Sequence, residues 1–221
     1  MSGQQWAFDA LIAVALVLGH ARLLRSHQPE PEPGVPGADT KPRYAAMATW
    51  GFTAVCAAVA AICQFAGVLG RPAHRPLWIV WAAMIVLIGV DARSTWLPRR
   101  MTWICLTELG CAIGLVALLD GRVEVIIGAL AGGLVLATVF WLLWRFGAGI
   151  GFGDVRLSLG MGGLTGAVSA DFWFAALMAA SLVGACWGVV HARLKGRSTA
   201  FAYGPALWSG PWAAQLWAGL V

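Results

Sequence analysis

Gly151-Phe152-Gly153-Asp154, continued by Val155-Arg156-Leu157, places an aspartate behind two glycines at the start of a hydrophobic segment. An ionised carboxylate is costly in or near a bilayer, so an acid at the end of a membrane helix marks a candidate functional site. A second aspartate, Asp91, follows the apolar run 78–90 and precedes a basic loop. Two isolated acids, each at the end of a hydrophobic segment, indicate a pair of carboxylates.

The composition around these acids is that of a membrane protein. Hydrophobic residues make up 60% of the 221-residue chain and charged residues only 11%, whereas soluble domains carry about 25% charged residues. Because a helix needs about 20 apolar residues to span a bilayer, we expect an all-α fold, a polytopic helical transmembrane bundle in a lipid bilayer. The net charge of +5 does not indicate nucleic-acid binding, since the basic residues are scattered at the ends of apolar segments.

The apolar runs predict about eight membrane spans. Their approximate bounds are 6–24, 44–69, 77–90, 101–119, 123–144, 154–170, 172–190 and 201–220. The chain then divides into a first transmembrane span over 1–24, a cytoplasmic Pro-rich linker over 25–43, and a transmembrane bundle over 44–221. The third run is short for a full crossing, so Asp91 is expected at its end, below the headgroups.

The distribution of basic residues predicts the orientation of the bundle. Twelve of the fifteen lysines and arginines follow the odd-numbered spans: Arg22, Arg25, Lys41, Arg43, Arg93, Arg99, Arg100, Arg145, Arg156, Arg193, Lys195 and Arg197. Cytoplasmic loops carry an excess of Lys and Arg. The odd-numbered spans are therefore expected to end in the cytoplasm, with both termini outside and both aspartates at the cytoplasmic face.

The other polar residues of the apolar segments are interpreted as structural. Asp9 and the histidines (His20, His27, His74 and His191) are expected at the membrane interface, and Glu108 is expected to make a polar contact inside the bundle, with a role beside the aspartates as the alternative. The cysteines lie in apolar runs without a C-x-x-C pair, which predicts reduced, buried thiols instead of disulfides or a zinc site. They are Cys56, Cys63, Cys105, Cys111 and Cys186. Glycines at 160, 162, 163 and 166 predict close helix packing.

Both aspartate segments resemble the active-site motifs of prepilin peptidases. Asp91-Ala92-Arg93-Ser94-Thr95-Trp96-Leu97-Pro98 is similar to the first motif, an aspartate followed by a basic loop with a Leu-Pro step. Gly151–Leu157 is similar to the second, the G-x-G-D motif of aspartic intramembrane peptidases. Tyr203-Gly204-Pro205-Ala206-Leu207 resembles the Gly-Pro segment that opens the last span. The resemblance runs from about residue 78 to residue 207, with the motifs in the order found in the family.

The resemblance implies a membrane-embedded aspartic endopeptidase. Its substrate would be the short basic leader of a type IV prepilin or pseudopilin, cut at the cytoplasmic face of the inner membrane in type IV pilus assembly or protein secretion. Asp91 and Asp154 would be the catalytic pair. Substrate would be contacted by Gly151, Gly153, Arg156 and Pro98, although the glycines could alternatively form only a flexible turn. Neither a metal nor another cofactor is implied, and the oligomeric state is left open.

The sequence departs from the family at three places. Arg156 stands where the family usually has Lys, and Arg99 stands where Asn is common after the proline. Both departures keep or add positive charge. Bifunctional relatives carry a cytoplasmic domain with paired C-x-x-C zinc ligands between the first two spans, whereas the segment 25–43 contains no cysteine. Methylation of the new N-terminus is therefore not expected.

Two other classes of function compete with a peptidase. Paired carboxylates can share one proton and activate water to cleave a peptide bond, but which aspartate is the base does not follow from the sequence. The same two aspartates could form the ion or proton site of a small membrane transporter or channel, which would predict internal repeats and acids near the midplane. A catalytically silent scaffold of a pilus or secretion machine is the third possibility. The acids lie at span ends and no clear repeat occurs, which favours the peptidase.

Overall fold

The computed structural model describes residues 3–26, 44–68, 70–147, 150–195 and 202–220, and their regular structure is helical. The helices are α1 (Gly3–Ser26), α2 (Tyr44–Met47), α3 (Trp50–Val68), α4 (Arg75–Ala83), α5 (Ile85–Ser94), α6 (Arg99–Asp120), α7 (Glu124–Arg145), α8 (Phe152–Val168), α9 (Ala170–Lys195) and α10 (Gly204–Leu220). A short 3-10 turn, Pro72–His74, leads into α4. These described residues contain no β-strand, and the predicted all-α fold is confirmed.

Most of these helices are suited to crossing a bilayer. Within the described ranges, six segments are long and apolar enough: Gln4–Ser26, Trp50–Gly67, Pro72–Ser94, Arg99–Asp120, Glu124–Arg145 and Ala170–Leu194. α8 and α10 have 17 residues each, which is about 26 Å of helix, and they correspond to the sixth and eighth predicted spans. The chain is therefore a polytopic helical bundle, as its composition predicts.

The third span extends beyond its apolar run, which changes the position of Asp91. The helical segment begins at Pro72, passes a one-residue break at Met84 and ends at Ser94. Asp91 therefore lies in the last turn of α5, and the helix extends three residues beyond it, past the end predicted for this span. Charged residues do not stop a helix. The segment ends only where Thr95 adopts a left-handed φ of 57°, shortly before Pro98, whose ring excludes it from a helix interior.

The segment Pro72–Ser94 is the centre of the bundle. In the most apolar stretch of this segment 72% of the residues are buried inside the bundle, whereas the buried share is at most 39% in each of the other five candidate spans. Reciprocal hydrogen bonds fix α10 against it: the indole Nε1 of Trp81 donates to the carbonyl of Trp208 at 3.0 Å, and that of Trp208 donates to the carbonyl of Trp81 at 2.8 Å. The start of α10 is thereby held close to α5.

α7 and α8 pack through a seam of glycines. A Cβ at Gly162 would meet the carbonyl of Gly132, and a Cβ at Gly166 would meet the carbonyl of Gly128. The two pairs are spaced four residues apart, so they lie on one face of each helix. Without side chains there, the backbones approach closely. The packing role predicted for these two glycines of α8 is confirmed.

Several polar residues predicted at the membrane interface lie inside the bundle. His20 and His74 are 1% and 4% exposed, and Asp9 is 5% exposed. His74 Nε2 lies 3.4 Å from Oδ2 of Asp120, and Arg75 Nε lies 3.4 Å from Oδ2 of Asp9. These three residues are therefore buried against other helices, and their depth in the membrane stays a prediction. Partners from distant parts of the sequence allow each of them to be buried.

Positions 27–43 of the predicted linker, with His27, lie outside the described residues. All five cysteines are free, and Cys56 and Cys105 are buried as predicted. Cys111 and Cys186 are instead exposed on the outer surface of the bundle, because they lie on helix faces that no other described helix covers.

Candidate active site

Asp91 is held by the first turn of the last helix. It lies in α5 and is 3% exposed, and its Oδ2 accepts a 3.0 Å hydrogen bond from the backbone N–H of Gly204. A Cβ at position 204 would collide with this carboxylate. Gly204 begins α10, and the first N–H groups of a helix have no partner within it. The glycine therefore brings a free backbone donor to the aspartate at a distance that no other residue permits.

Asp154 is held by the start of its own helix. It is the third residue of α8 and is 8% exposed. Its Oδ2 accepts the backbone N–H of Gly151 at 3.1 Å, while its own N–H donates to the carbonyl of Gly151 at 3.0 Å. This reciprocal arrangement caps the helix, and the N-terminal end of a helix favours a negative charge.

The structure brings the two aspartates together from positions 63 residues apart. Gly204 lies against both the carboxylate of Asp91 and the side chain of Leu157, which is one turn after Asp154 on α8. Tyr203 lies near Asp154, since its phenol interacts electrostatically with that carboxylate and hydrogen bonds to Ser181. α5, α8 and the start of α10 thus converge on one buried cluster of acids.

The loop between α5 and α6 closes over the start of α8. A Cβ at Gly153 would lie 2.8–3.3 Å from side-chain atoms of Leu97, so the absence of a side chain at Gly153 makes room for this loop. A Cβ at Gly151 would meet nothing nearer than 3.6 Å, and the nearest atom is Oδ2 of Asp154. The first glycine therefore leaves space beside the carboxylate, whereas the second is packed against the neighbouring motif.

Pro98 and Arg156 flank this cluster in different ways. Pro98 is buried and immediately precedes α6, and its carbonyl accepts hydrogen bonds from both the N–H and the hydroxyl of Thr102 at 2.9 Å. It therefore fixes the end of the loop that carries Leu97. The guanidinium of Arg156 stacks 5.3 Å from the ring centre of Phe152, at the exposed side of α8.

Sequence reasoning did not assign a role to Gly204 or Tyr203. The Gly-Pro pair at the start of α10 was the available signal, but a backbone N–H carries no side-chain signature. It also missed a group of possible metal ligands within the described residues, formed by His20, Cys105 and Glu108. Glu108 makes the polar contact expected of it, with His20 as its partner at 2.9 Å.

Three curated proteins are similar to this chain over its larger part. The protein named prepilin leader peptidase/N-methyltransferase from Aeromonas salmonicida strain A449 is 32% identical over 151 residues, and that from Aeromonas salmonicida is equally similar. The protein of the same name from Aeromonas hydrophila is 30% identical over 148 residues. Each alignment covers 64% of this chain and 48% of the relative.

The chain spans about half the length of the curated relatives it matches. No family model matches the chain, and no solved structure matches it. The similarity of a membrane-helical chain to three proteins of one name supports the resemblance to prepilin peptidases that the two aspartate motifs indicate.

Proposed function

We propose that this chain is an aspartic endopeptidase of the membrane that cleaves the short basic leader of prepilin-like substrates. The observation that carries the proposal is the convergence of Asp91 and Asp154 in one buried cluster, each held by a single backbone N–H. The similarity to proteins named prepilin leader peptidase supports the substrate class. Pilins and secretion pseudopilins are both included.

The two carboxylates divide the work of hydrolysis between them. The ionised one takes a proton from a water molecule as its oxygen attacks the scissile carbonyl carbon. The protonated one donates to the carbonyl oxygen as negative charge develops there, and the leaving amine is protonated as the carbon–nitrogen bond breaks. The base passes the proton it gained from water to this amine, and the acid takes back a hydroxyl proton as the tetrahedral intermediate collapses to the carboxyl product. The pair thus returns to its starting state without a covalent intermediate. Either aspartate can fill either role.

The proposed setting is the cytoplasmic face of the inner membrane. Arg93 follows Asp91 by two residues, Arg99 and Arg100 open α6, and Arg156 follows Asp154 by two residues. Basic residues concentrate on the cytoplasmic side of membrane proteins. Their grouping around both motifs supports a site at that face, where a substrate leader is accessible before the substrate leaves the membrane.

Methylation of the product is not part of the proposed activity. The relatives' names include an N-methyltransferase, but the segment 25–43 lacks the paired cysteines of bifunctional members. When a pilin is processed by this chain as its only peptidase with methyl donor present, mass spectrometry should show an unmethylated N-terminus. A quantitative gain of one methyl group would contradict this part of the proposal.

Cleavage by purified protein tests the proposed function. The chain is solubilised in detergent and incubated with a candidate prepilin, and loss of the leader is followed as a mobility shift. Asp91→Asn and Asp154→Asn should remove nearly all cleavage, because an amide keeps the shape of the side chain but cannot act as the ionised base.

Asp171→Asn is the matched control, since Asp171 is exposed at the start of α9. It lies beyond the far end of α8, which is about 21 Å from Asp154 along that helix. Near-wild-type cleavage by a folded Asp91→Asn or Asp154→Asn variant would exclude the aspartic mechanism. The transporter and scaffold interpretations would then take precedence.

A further inference from the structure

A buried cluster of histidine, cysteine and glutamate joins α1 to α6. His20 of α1 is 1% exposed and Cys105 of α6 is fully buried, while the side chain of Glu108 is 28% exposed. Nε2 of His20 lies 2.9 Å from Oε2 of Glu108 and 3.9 Å from Sγ of Cys105. The three atoms all lie within 4.8 Å of one another. Cys105 and Glu108 meet the same imidazole because residues three apart share a helix face.

The second ring nitrogen of His20 determines which atom faces this cluster. Nδ1 lies 3.2 Å from the carbonyl oxygen of Ala83, and a carbonyl can only accept a hydrogen bond. Nδ1 therefore carries a proton, and Nε2 is directed at Glu108 and Cys105. Metal-binding histidines are oriented in this way, with the other N–H donated to a backbone carbonyl or a carboxylate. Because neutral Nε2 and a carboxylate are both acceptors, a cation must lie between them, either a proton or a metal ion.

We propose that His20, Cys105 and Glu108 form a binding site for a divalent transition-metal ion of the Zn²⁺ type. Imidazole nitrogen, thiolate sulfur and carboxylate oxygen are the ligands that Zn²⁺ takes in proteins, often with water in a fourth position. Metal–ligand bonds of about 2.0–2.3 Å in a tetrahedron place neighbouring ligand atoms about 3.3–3.6 Å apart. The observed separations of 2.9 and 3.9 Å lie on either side of these values. The separation of the sulfur and carboxylate atoms is bounded by 4.8 Å, so side-chain shifts of up to about 1 Å complete the site.

Charge balance is compatible with an ion at this position. A divalent cation, a thiolate, a carboxylate and a neutral imidazole sum to zero, whereas uncompensated charges in an apolar interior are costly. Binding releases the proton of the Cys105 thiol and the proton shared by His20 and Glu108, so metal affinity should rise with pH. The bound ion would tie α1 to α6 across 85 residues of sequence.

Cobalt provides a direct test, because Co²⁺ occupies zinc-like sites and a thiolate ligand gives it a charge-transfer band in the near ultraviolet. The full chain is purified in detergent, freed of any polyhistidine tag and titrated with Co²⁺, and Zn²⁺ is then added to displace it. We expect stoichiometric binding with a thiolate band that Cys105→Ser abolishes. Cys111→Ser should keep the band, since Cys111 is an exposed cysteine on the same helix.

Two further readouts keep the test informative if one variant folds poorly. Glu108→Gln should weaken Co²⁺ binding by about tenfold or more. Zn²⁺ should raise the unfolding temperature of the wild type and of Cys111→Ser, since an ion that binds only the folded state stabilises it. Absence of a stoichiometric thiolate band in folded wild-type protein overturns the proposal. So does a band that survives Cys105→Ser or is lost equally in Cys111→Ser.

Discussion

The backbone N–H of Gly204 donates a 3.0 Å hydrogen bond to Oδ2 of Asp91, across 113 residues of sequence. This bond joins the central span to the start of α10. It stabilises one orientation of the Asp91 carboxylate, because a buried carboxylate without a donor would lose its hydration without compensation. A side chain at position 204 would occupy the space of the carboxylate itself.

Gly204→Ala is therefore expected to impair the aspartate pair more than it impairs the fold. The added methyl group must displace Asp91, and a shift of about 1 Å can cost about a hundredfold in rate. Cleavage is measured beside Gly114→Ala, whose Cβ would meet nothing within 4 Å in α6. If Gly204→Ala cleaves as fast as Gly114→Ala, the orientation of Asp91 by Gly204 has no catalytic importance.

The glycine seam between α7 and α8 predicts a difference in stability within one helix. Gly166→Ala should lower the free energy of unfolding by about 1–3 kcal/mol, since the new methyl group collides with the backbone of Gly128 and overpacking costs that amount. Gly163→Ala should be tolerated, because its nearest neighbour would be an ordinary contact at 3.7 Å. Thermal or denaturant unfolding in detergent gives both values, and equal stabilities would exclude a specific seam.

The orientation of the bundle remains a prediction from the distribution of basic residues. A reporter that is active only outside the cytoplasm should be active when it is fused behind α10, because an even number of crossings returns the chain to the side on which it starts. A reporter active only in the cytoplasm should be active in the α5–α6 loop, beside Arg99 and Arg100. Cytoplasmic activity behind α10 would contradict the eight-span topology.

The sequence predicts the fold class and the candidate acids better than it predicts their surroundings. Apolar runs of membrane-spanning length indicate a helical bundle directly, and isolated acids stand out in such runs because they are costly there. The extension of α5 past Asp91 is not visible in hydropathy, since a charged turn can remain helical beyond the apolar run. The bond from Gly204 and the contact of His20 with Glu108 join residues 113 and 88 positions apart. Such pairs depend on how the helices pack, which no local pattern specifies.

The aspartates themselves provide the sharpest prediction, because residues that act as one unit have strongly non-additive effects. Asp91→Asn and Asp154→Asn should each lower the rate of cleavage by roughly a thousandfold or more, and the double variant should be barely slower than either single one. Asp91→Glu and Asp154→Glu should also fail largely, since one added methylene moves the carboxylate out of a productive geometry.

Rates are measured on detergent-solubilised protein with folding checked in parallel, and Asp171→Asn serves as the exposed control. Independent, multiplying losses in the double variant would mean that the two carboxylates do not share a single proton and a single water. In that case one aspartate would act on the substrate, and the other would only stabilise the fold through its hydrogen bond from Gly204 or Gly151. The structural aspartate is the one whose Asn variant loses stability along with activity.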